Sequence, residues 1–333
     1  MAQGPPERER ALVIAHRGAS GYLPEHTLAA KALAFGMRAD YLEQDLVLSR
    51  DGVPVVLHDI HLDTVTNVAQ KFPERIRPDG RYYAIDFDLS ELRQLTVHER
   101  RDRRTGKPVY PRRFPTQQGH FTIPTLAEEL ELIRGLNQST GRQVGIYPEI
   151  KQPAWHREQG REISQIVLRV LDEYGYRGPE DRCYLQCFEA DENRRIRQQL
   201  GSRLLLIQLV GGKIDDPKSD AARMLTPQGL ESIAQYANGI GPSIDQLRQA
   251  AGSDGLPRGQ SIVEQAHRVG LQVHPYTVRA DDLPAGVDSL KALVQELDQE
   301  LRVDGMFTDF PDQVLAALEQ ETTRASKSSG DHQ

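Results

Sequence analysis

His16 and Arg17 stand side by side in "VIAHRGASGYLPEHT", residues 13–27, directly after a run of apolar residues. Glu43 and Asp45 lie two apart in "YLEQDLVLS", His58 and Asp59 close "VPVVLHD", and Glu149 and Lys151 lie two apart in "VGIYPEIK". Side chains alternate faces along a strand, so each two-apart pair points the same way. Three carboxylates from neighbouring strands would repel one another by several kcal/mol unless a cation neutralised them. A donor set of oxygens without cysteine favours one hard divalent cation, Ca²⁺ or Mg²⁺, over Zn²⁺. Arg17 and Lys151 add positive charge at the same place: Arg grips a phosphate bidentately and Lys acts as a point charge, which together suit a phosphodiester. His16 and His58 titrate near neutrality, and cleaving such an ester requires one proton removed and one delivered. His274 is the other histidine at a strand end. Each residue alone also fits a structural role, as a solvent-facing carboxylate, half of an ion pair or a core histidine; the constellation carries the reading.

Positioning these groups requires strands that end at one place. "ALVIAHRG" reads as a strand and Thr27 to Gly36 as a helix, with Thr27 as N-cap and Gly36 past its end. "YLEQDLVLS" and "VPVVLHD" follow as strands separated by the turn "RDG". Further strands are "VGIYPEIK", "CYLQCF", "RLLLIQLV", "NGIGPS", "LQVHPYT" and "GMFTDFP", with helical patterns at 157–175, 191–200, 227–237, 260–269 and 288–300 and a last one after Phe310. Strand then helix, repeated about eight times, predicts a closed parallel barrel, with an open doubly wound sheet as the alternative. In a barrel the carboxyl ends of the strands carry the active site, where the ionisable residues above fall. Residues 60 to about 124 break the rhythm with charge, Tyr and Pro, and predict a lid or small inserted subdomain. Within it, the mixed run from Arg100 to Arg113 reads as a solvated loop.

The 333 residues are ordinary for one α/β barrel. Hydrophobic residues make up 38% of the chain, and no apolar run approaches the roughly 20 residues of a membrane-spanning helix. A net charge of -7 argues against a general nucleic-acid binder. Cys183 and Cys187 stand in an extended segment, where their Cα atoms lie roughly 13 Å apart, too far for a disulfide; buried free thiols are expected. "MAQGPPERER" has no apolar core, so this chain shows no signal peptide, and residues 1–10 and 321–333 read as frayed ends around a 11–320 barrel domain.

Taken in order, "AHRG", "PEHT", "EQDLVLSRDGVPVVLHD", "YPEIK", "LQCF", "HPYTVR" and "GMFTDFPD" resemble the glycerophosphodiester phosphodiesterase family, over roughly residues 11–320. With "GRYYAIDF" in the irregular stretch, the resemblance is closest to its bacterial periplasmic branch. It implies a (β/α)8 TIM barrel with a small subdomain inserted after the strand bearing the second histidine. It implies Glu43, Asp45 and Glu149 as ligands of Ca²⁺ or Mg²⁺, His16 and His58 as general acid and base, and Arg17 and Lys151 as holders of the phosphate. Gln186, Phe188 and Tyr276 would line the substrate pocket. The reaction implied is hydrolysis of glycerophosphodiesters, such as glycerophosphocholine or glycerophosphoethanolamine, to sn-glycerol 3-phosphate and an alcohol. Attack by water and attack by the glycerol 2-hydroxyl both stay open. A small-molecule substrate and a periplasmic location are implied, with a homodimer as one oligomeric option and the cytoplasm as the alternative location. His26 stands where many members have Asn, Thr64 where Arg is common, and Tyr276 where other branches have Trp. Two rival readings are a barrel kept for binding without turnover and a phosphodiesterase acting on intact lipids.

Overall fold

The computed structural model describes residues 10–116, 118–212, 216, 218–248 and 258–328. Among them, eight parallel strands form a nearly closed ring: β1 (Leu12–Ala15), β2 (Tyr41–Leu48), β4 (Gly145–Ile150), β5 (Tyr184–Cys187), β6 (Leu205–Val210), β7 (Gly239–Pro242), β8 (Gln272–Val273) and β9 (Gly305–Thr308). The strand order is β8-β7-β6-β5-β4-β2-β1-β9, and a further strand, β3 (Pro54–Val56), pairs with β2 alone. β8 is too short to ladder with β9. The seam closes instead through main-chain bonds from Asp304 N to Val273 O at 2.9 Å, Phe307 N to Pro275 O at 3.0 Å and Val278 N to Phe307 O at 2.8 Å. The barrel expected from the strand-helix rhythm is therefore the fold found.

All eight residues of β2 are buried. Tyr41 faces the barrel interior, where it packs with Ile14, Tyr147, Tyr184, Ile207 and Phe307, while Leu42, Leu46 and Leu48 face outward against the helices. Rings stack at the bottom of the barrel, Tyr147 and Tyr184 at 5.0 Å between centroids. That floor fills the ring below the strands' carboxyl ends. His274 belongs to this floor: it is fully buried and its Nδ1 lies 2.8 Å from the Tyr147 hydroxyl, so it serves the core.

Several element boundaries differ from the sequence reading. β3 is antiparallel to β2, pairing Leu46 with Val56, and lies off the ring. The turn at Arg50–Gly52 is too short for anything but a hairpin, since parallel strands need a crossover of a dozen residues or more; Gly52 supplies a positive φ of 81° there. The helix expected at 157–175 is two helices, Pro153–Glu158 and Ile163–Glu173, interrupted where Gly160 takes φ 74°. The pattern at 288–300 is an α-helix over Leu290–Gln295 that loosens into a π-turn over Glu296–Glu300. A helix over Leu126–Thr140 was not expected, although "TLAE" spells its start. There Thr125 Oγ1 accepts from Glu128 N at 3.1 Å and Glu128 Oε2 accepts from Thr125 N at 2.8 Å, a reciprocal cap. The last helix, Pro311–Ser328, extends eight residues into the segment read as a frayed tail. Residues 1–9 and 329–333 lie outside the described residues. Arg10 is described, and its Nη1 meets Asp40 at 2.7 Å. Both cysteines are free and buried.

Between β3 and the helix at Leu126 the chain builds a small apolar cluster of its own, with Leu62, Val65, Phe87, Leu92 and Leu95 packed against Val47 and Val55 of the hairpin. Short helices at Val68–Lys71 and Leu89–Leu92 and single antiparallel bridges such as Thr66 to Val97 hold it together.

Candidate active site

The register of β2 on β4 sets Asp45 opposite Glu149, and β4 on β5 sets Glu149 opposite Gln186. Glu43 follows on the same inward face. One oxygen from each of Glu43, Asp45 and Glu149 lies within 4.8 Å of the other two, and all three side chains are buried. Burial and the neighbouring Asp45 and Glu149 push Glu43 well above the usual carboxylate range. Burial, offset by Lys151 and reinforced by Asp45, puts Glu149 at about 8. Asp45 goes the other way: burial acts against its charge, but Lys151 and His26 outweigh it and hold its pKa well below normal. Two of three carboxylates therefore resist ionisation unless positive charge joins them. Asp45 Oδ1 and Gln186 Oε1 are buried without a hydrogen-bond partner. Oxygen donors, converging and partly unsatisfied, fit a hard divalent cation.

The triad rests on a buried cation inside the wall. His26 Nε2 lies 2.6 Å from Asp45 Oδ2, and behind it Lys31 Nζ stands 2.9 Å from Glu129 Oε2 and donates to the main-chain oxygen of Glu43. His26 thus supplies a hydrogen bond to one of the three carboxylates. Its φ of 61° is left-handed, a conformation Asn and His adopt more readily than most residues.

His16 follows β1 directly, and His58 follows β3 by two residues, so the second histidine comes from the hairpin rather than from a barrel strand. Each imidazole is oriented by a carboxylate. His16 Nδ1 is 2.5 Å from Asp309 Oδ1, and His58 Nδ1 is 2.7 Å from Asp59 Oδ1. Both aspartates are held well below the usual carboxylate range despite burial, Asp309 first by His16 and Asp59 first by Arg100, so each accepts and each Nδ1 donates. This leaves the two Nε2 atoms for proton exchange. Burial and Arg17 push both imidazoles down to about 4.

Arg17 has a left-handed φ of 58°, which turns its amide onto Glu43 Oε2 at 2.8 Å and its guanidinium onto Glu25 at 3.0 Å. Such strain persists where the surroundings over-determine it, often at functional sites. Gly18 makes the bend possible: at φ 87°, a Cβ there would sit 2.8 Å from the Ala30 carbonyl carbon. Lys151 Nζ lies 2.7 Å from Glu149 Oε1.

These groups face one cavity of about 370 Å³, lined by all seven residues singled out above and also by Gln186, Phe188 and Tyr276. Phe188 and Tyr276 meet edge to face at 5.9 Å, and Gln186 Nε2 donates to Glu43 Oε1 at 3.0 Å. Sequence reasoning missed Asp309, Glu25, Arg100 and Arg113. Asp309 follows the end of β9, so the strand-end rule applied to it as to Glu149. The arginines carried no such signal. The run from Arg100 to Arg113 is solvated along much of its length, with Arg103, Arg104, Lys107 and Arg112 exposed, but not at its two ends, where the Arg113 side chain is 5% exposed and Arg100 18%. Thr64 contributes a long contact of 3.4 Å to Arg100.

A family model described as the Glycerophosphoryl diester phosphodiesterase family matches residues 16–313. The chain is 43% identical over 320 residues to the glycerophosphodiester phosphodiesterase of Haemophilus influenzae, covering 90% of this chain and 88% of the relative. It is 38% identical to that of Treponema pallidum, covering 90% of each. A solved structure from Silicibacter pomeroyi, grouped with the glycerophosphoryl diester phosphodiesterases, superposes with a TM-score of 0.70 at 26% identity, covering 96% of both chains. A barrel with this mouth, matched along nearly its whole length, belongs to the glycerophosphoryl diester phosphodiesterase family and is an enzyme of that activity.

Proposed function

We propose that the enzyme hydrolyses small, water-soluble glycerophosphodiesters, glycerophosphocholine and glycerophosphoethanolamine among them, to sn-glycerol 3-phosphate and an alcohol, using His16 and His58 as proton carriers. The observation that carries this reading is the pair of imidazoles, each backed by an aspartate at 2.5 and 2.7 Å, opening on the cavity that holds the carboxylate triad. Arg17 and Lys151 bind the phosphoryl oxygens, one as a planar donor and one as a point charge. Glu43, Asp45 and Glu149 would hold one Ca²⁺ or Mg²⁺, which supplies charge stabilisation at the phosphoryl group when bound. Both imidazoles rest neutral. A phosphodiester anion arriving beside them favours the charged form of one, which then serves as acid toward the leaving oxygen. The other takes the proton of the attacking oxygen, whether that oxygen belongs to water or to the glycerol 2-hydroxyl. A polar head group suits this mouth, because further charged side chains, Asp245, Arg279 and Asp282, line the cavity beside the residues named above.

The test is release of sn-glycerol 3-phosphate from glycerophosphocholine, followed with a coupled dehydrogenase on chelator-treated protein. Turnover restored by Ca²⁺ or Mg²⁺ is the expected result. Full turnover without any divalent ion removes the cation from the reading, and release of a different product removes the substrate class.

A further inference from the structure

We propose that Arg100 and Arg113, both contributed by the insertion, are positioning residues that set the two histidines through Asp59 and Asp309; this rests on the reading of His16 and His58 as proton carriers. The same arrangement occurs twice, at two unrelated places on the barrel mouth. Asp309 gives Oδ1 to His16, and its Oδ2 accepts from Arg113 Nη2 at 2.7 Å and from Arg279 Nε at 2.9 Å. Asp59 gives Oδ1 to His58, and its Oδ2 accepts from Arg100 Nη1 at 2.6 Å. In each case the imidazole takes one carboxylate oxygen and an insertion guanidinium takes the other.

The arginines are themselves immobilised. Arg113 donates from Nε and Nη2 to Asp281 at 2.9 and 3.0 Å, and its guanidinium carbon lies 3.6 Å from the centre of the Tyr110 ring. Arg100 forks onto Glu25 at 3.0 and 2.6 Å, and the same Glu25 accepts from Arg17 at 3.0 Å. Arg100 therefore also steadies the guanidinium assigned to the phosphate. A carboxylate bound only to an imidazole can rotate about its own bond and carry the ring with it; an N–H on the far oxygen, from a guanidinium itself held by its fork on Glu25 or Asp281, restrains that freedom. Lysine keeps the charge but not the fork. The other insertion arginines show that this is not a general habit of the segment: Arg77 pairs with Asp86 and Arg81 with Asp63, within the insertion. Arg81 is consequently the control for any effect that runs through insertion stability alone.

The experiment compares kcat, KM and thermal midpoint for Arg113→Ala, Arg100→Ala, Arg81→Ala, His16→Ala and His58→Ala in the metal-loaded enzyme. A small displacement of reacting groups costs on the order of 10²-fold, so Arg113→Ala is expected to lower kcat by roughly 10- to 100-fold with KM within about twofold. Arg100→Ala lowers kcat similarly and raises KM as well, because Arg17 loosens. Added guanidinium ion recovers part of kcat in both and none in Arg81→Ala. Arg113→Ala adds little to the loss already caused by Asp309→Asn, since the two act as one unit. If Arg113→Ala fails to fold, Arg113→Lys, which keeps the charge, is expected to lose kcat at a preserved thermal midpoint. Unchanged kcat in folded Arg100 and Arg113 variants, or a loss matched by Arg81→Ala in step with its thermal midpoint, overturns the proposal. Active His16→Ala and His58→Ala would instead overturn the reading beneath it.

Discussion

The cavity has two walls made by different means. On the barrel side, Glu43, Asp45, Glu149 and Gln186 are placed by ladder register, where main-chain hydrogen bonds fix each Cα before any side chain is considered. On the insertion side, His58, Arg100 and Arg113 stand on irregular backbone, and their places depend on charge pairs and on a small apolar cluster around Phe87 and Leu92. A wall set by register tolerates the loss of a side chain without moving its neighbours. A wall set by side-chain pairs does not, which makes the insertion the part of the site most sensitive to distant change.

The largest effects should fall on the two histidines, one from each wall. His16→Ala and His58→Ala are each expected to lower kcat by about 10² to 10⁴, the usual weight of a positioned acid or base, with little change in thermal midpoint. Survival of most turnover in either variant would break the symmetry between the walls. Core truncations come next. Leu42→Ala beneath the barrel wall and Leu92→Ala beneath the insertion should each cost about 2–5 kcal/mol in urea unfolding. They should differ in kind: in Leu92→Ala, activity is lost at lower urea than far-ultraviolet ellipticity, because the insertion opens before the barrel. Coincident transitions in both variants would show the walls to be one cooperative unit.

Metal response sharpens the comparison further. If the triad holds the proposed Ca²⁺ or Mg²⁺, the native protein should gain about 2.7 kcal/mol with the ion at 100 times its Kd, by mass action. Glu43→Ala should lose that gain, while Arg113→Ala should keep it, since the triad belongs to the barrel wall. A normal metal response in Glu43→Ala would remove that ligand. The smallest effect is acid sensitivity carried by the barrel's own buried histidines. Burial pushes His156 and His274 down to about 4 from an ordinary value near 6.5. The unfolded chain takes up these protons first, so their contribution is whole above about pH 6.5 and is lost as pH falls through about 4. His156 Nε2 accepts from Leu48 N at 3.3 Å, a bond that only the neutral ring can make. His156→Gln should therefore flatten the thermal midpoint against pH between 7 and 4; an unaltered slope would place the acid sensitivity elsewhere.

Much of the barrel wall was legible from residue order. Two-apart carboxylates in β2 and the Glu149–Lys151 pair in β4 follow from strand periodicity, and strand-helix alternation sufficed for the ring. Boundaries were less legible where one residue decides them: Gly160 splits a helix that apolar spacing alone runs together. The helix at Leu126–Thr140 was signalled by its capping residues and passed over beside the irregular segment. The direction of β3 was also available, because a turn as short as Arg50–Gly52 admits only a hairpin.

The insertion wall was not legible. Arg100, Arg103, Arg104 and Arg113 look alike in a mixed charge run, and nothing in their spacing separates the two that reach the mouth from those in solvent. Local periodicity acts over a few residues, and so the sequence by itself determined the strands, the inward face of each and the class of chemistry its polar residues can do. Asp309 meeting His16 across 293 positions, and Arg113 meeting Asp309 across 196, were decided only when the ring closed and the insertion folded back over it. Contacts that distant in the chain depend on the whole packing, since no local pattern encodes which charges will share one buried space.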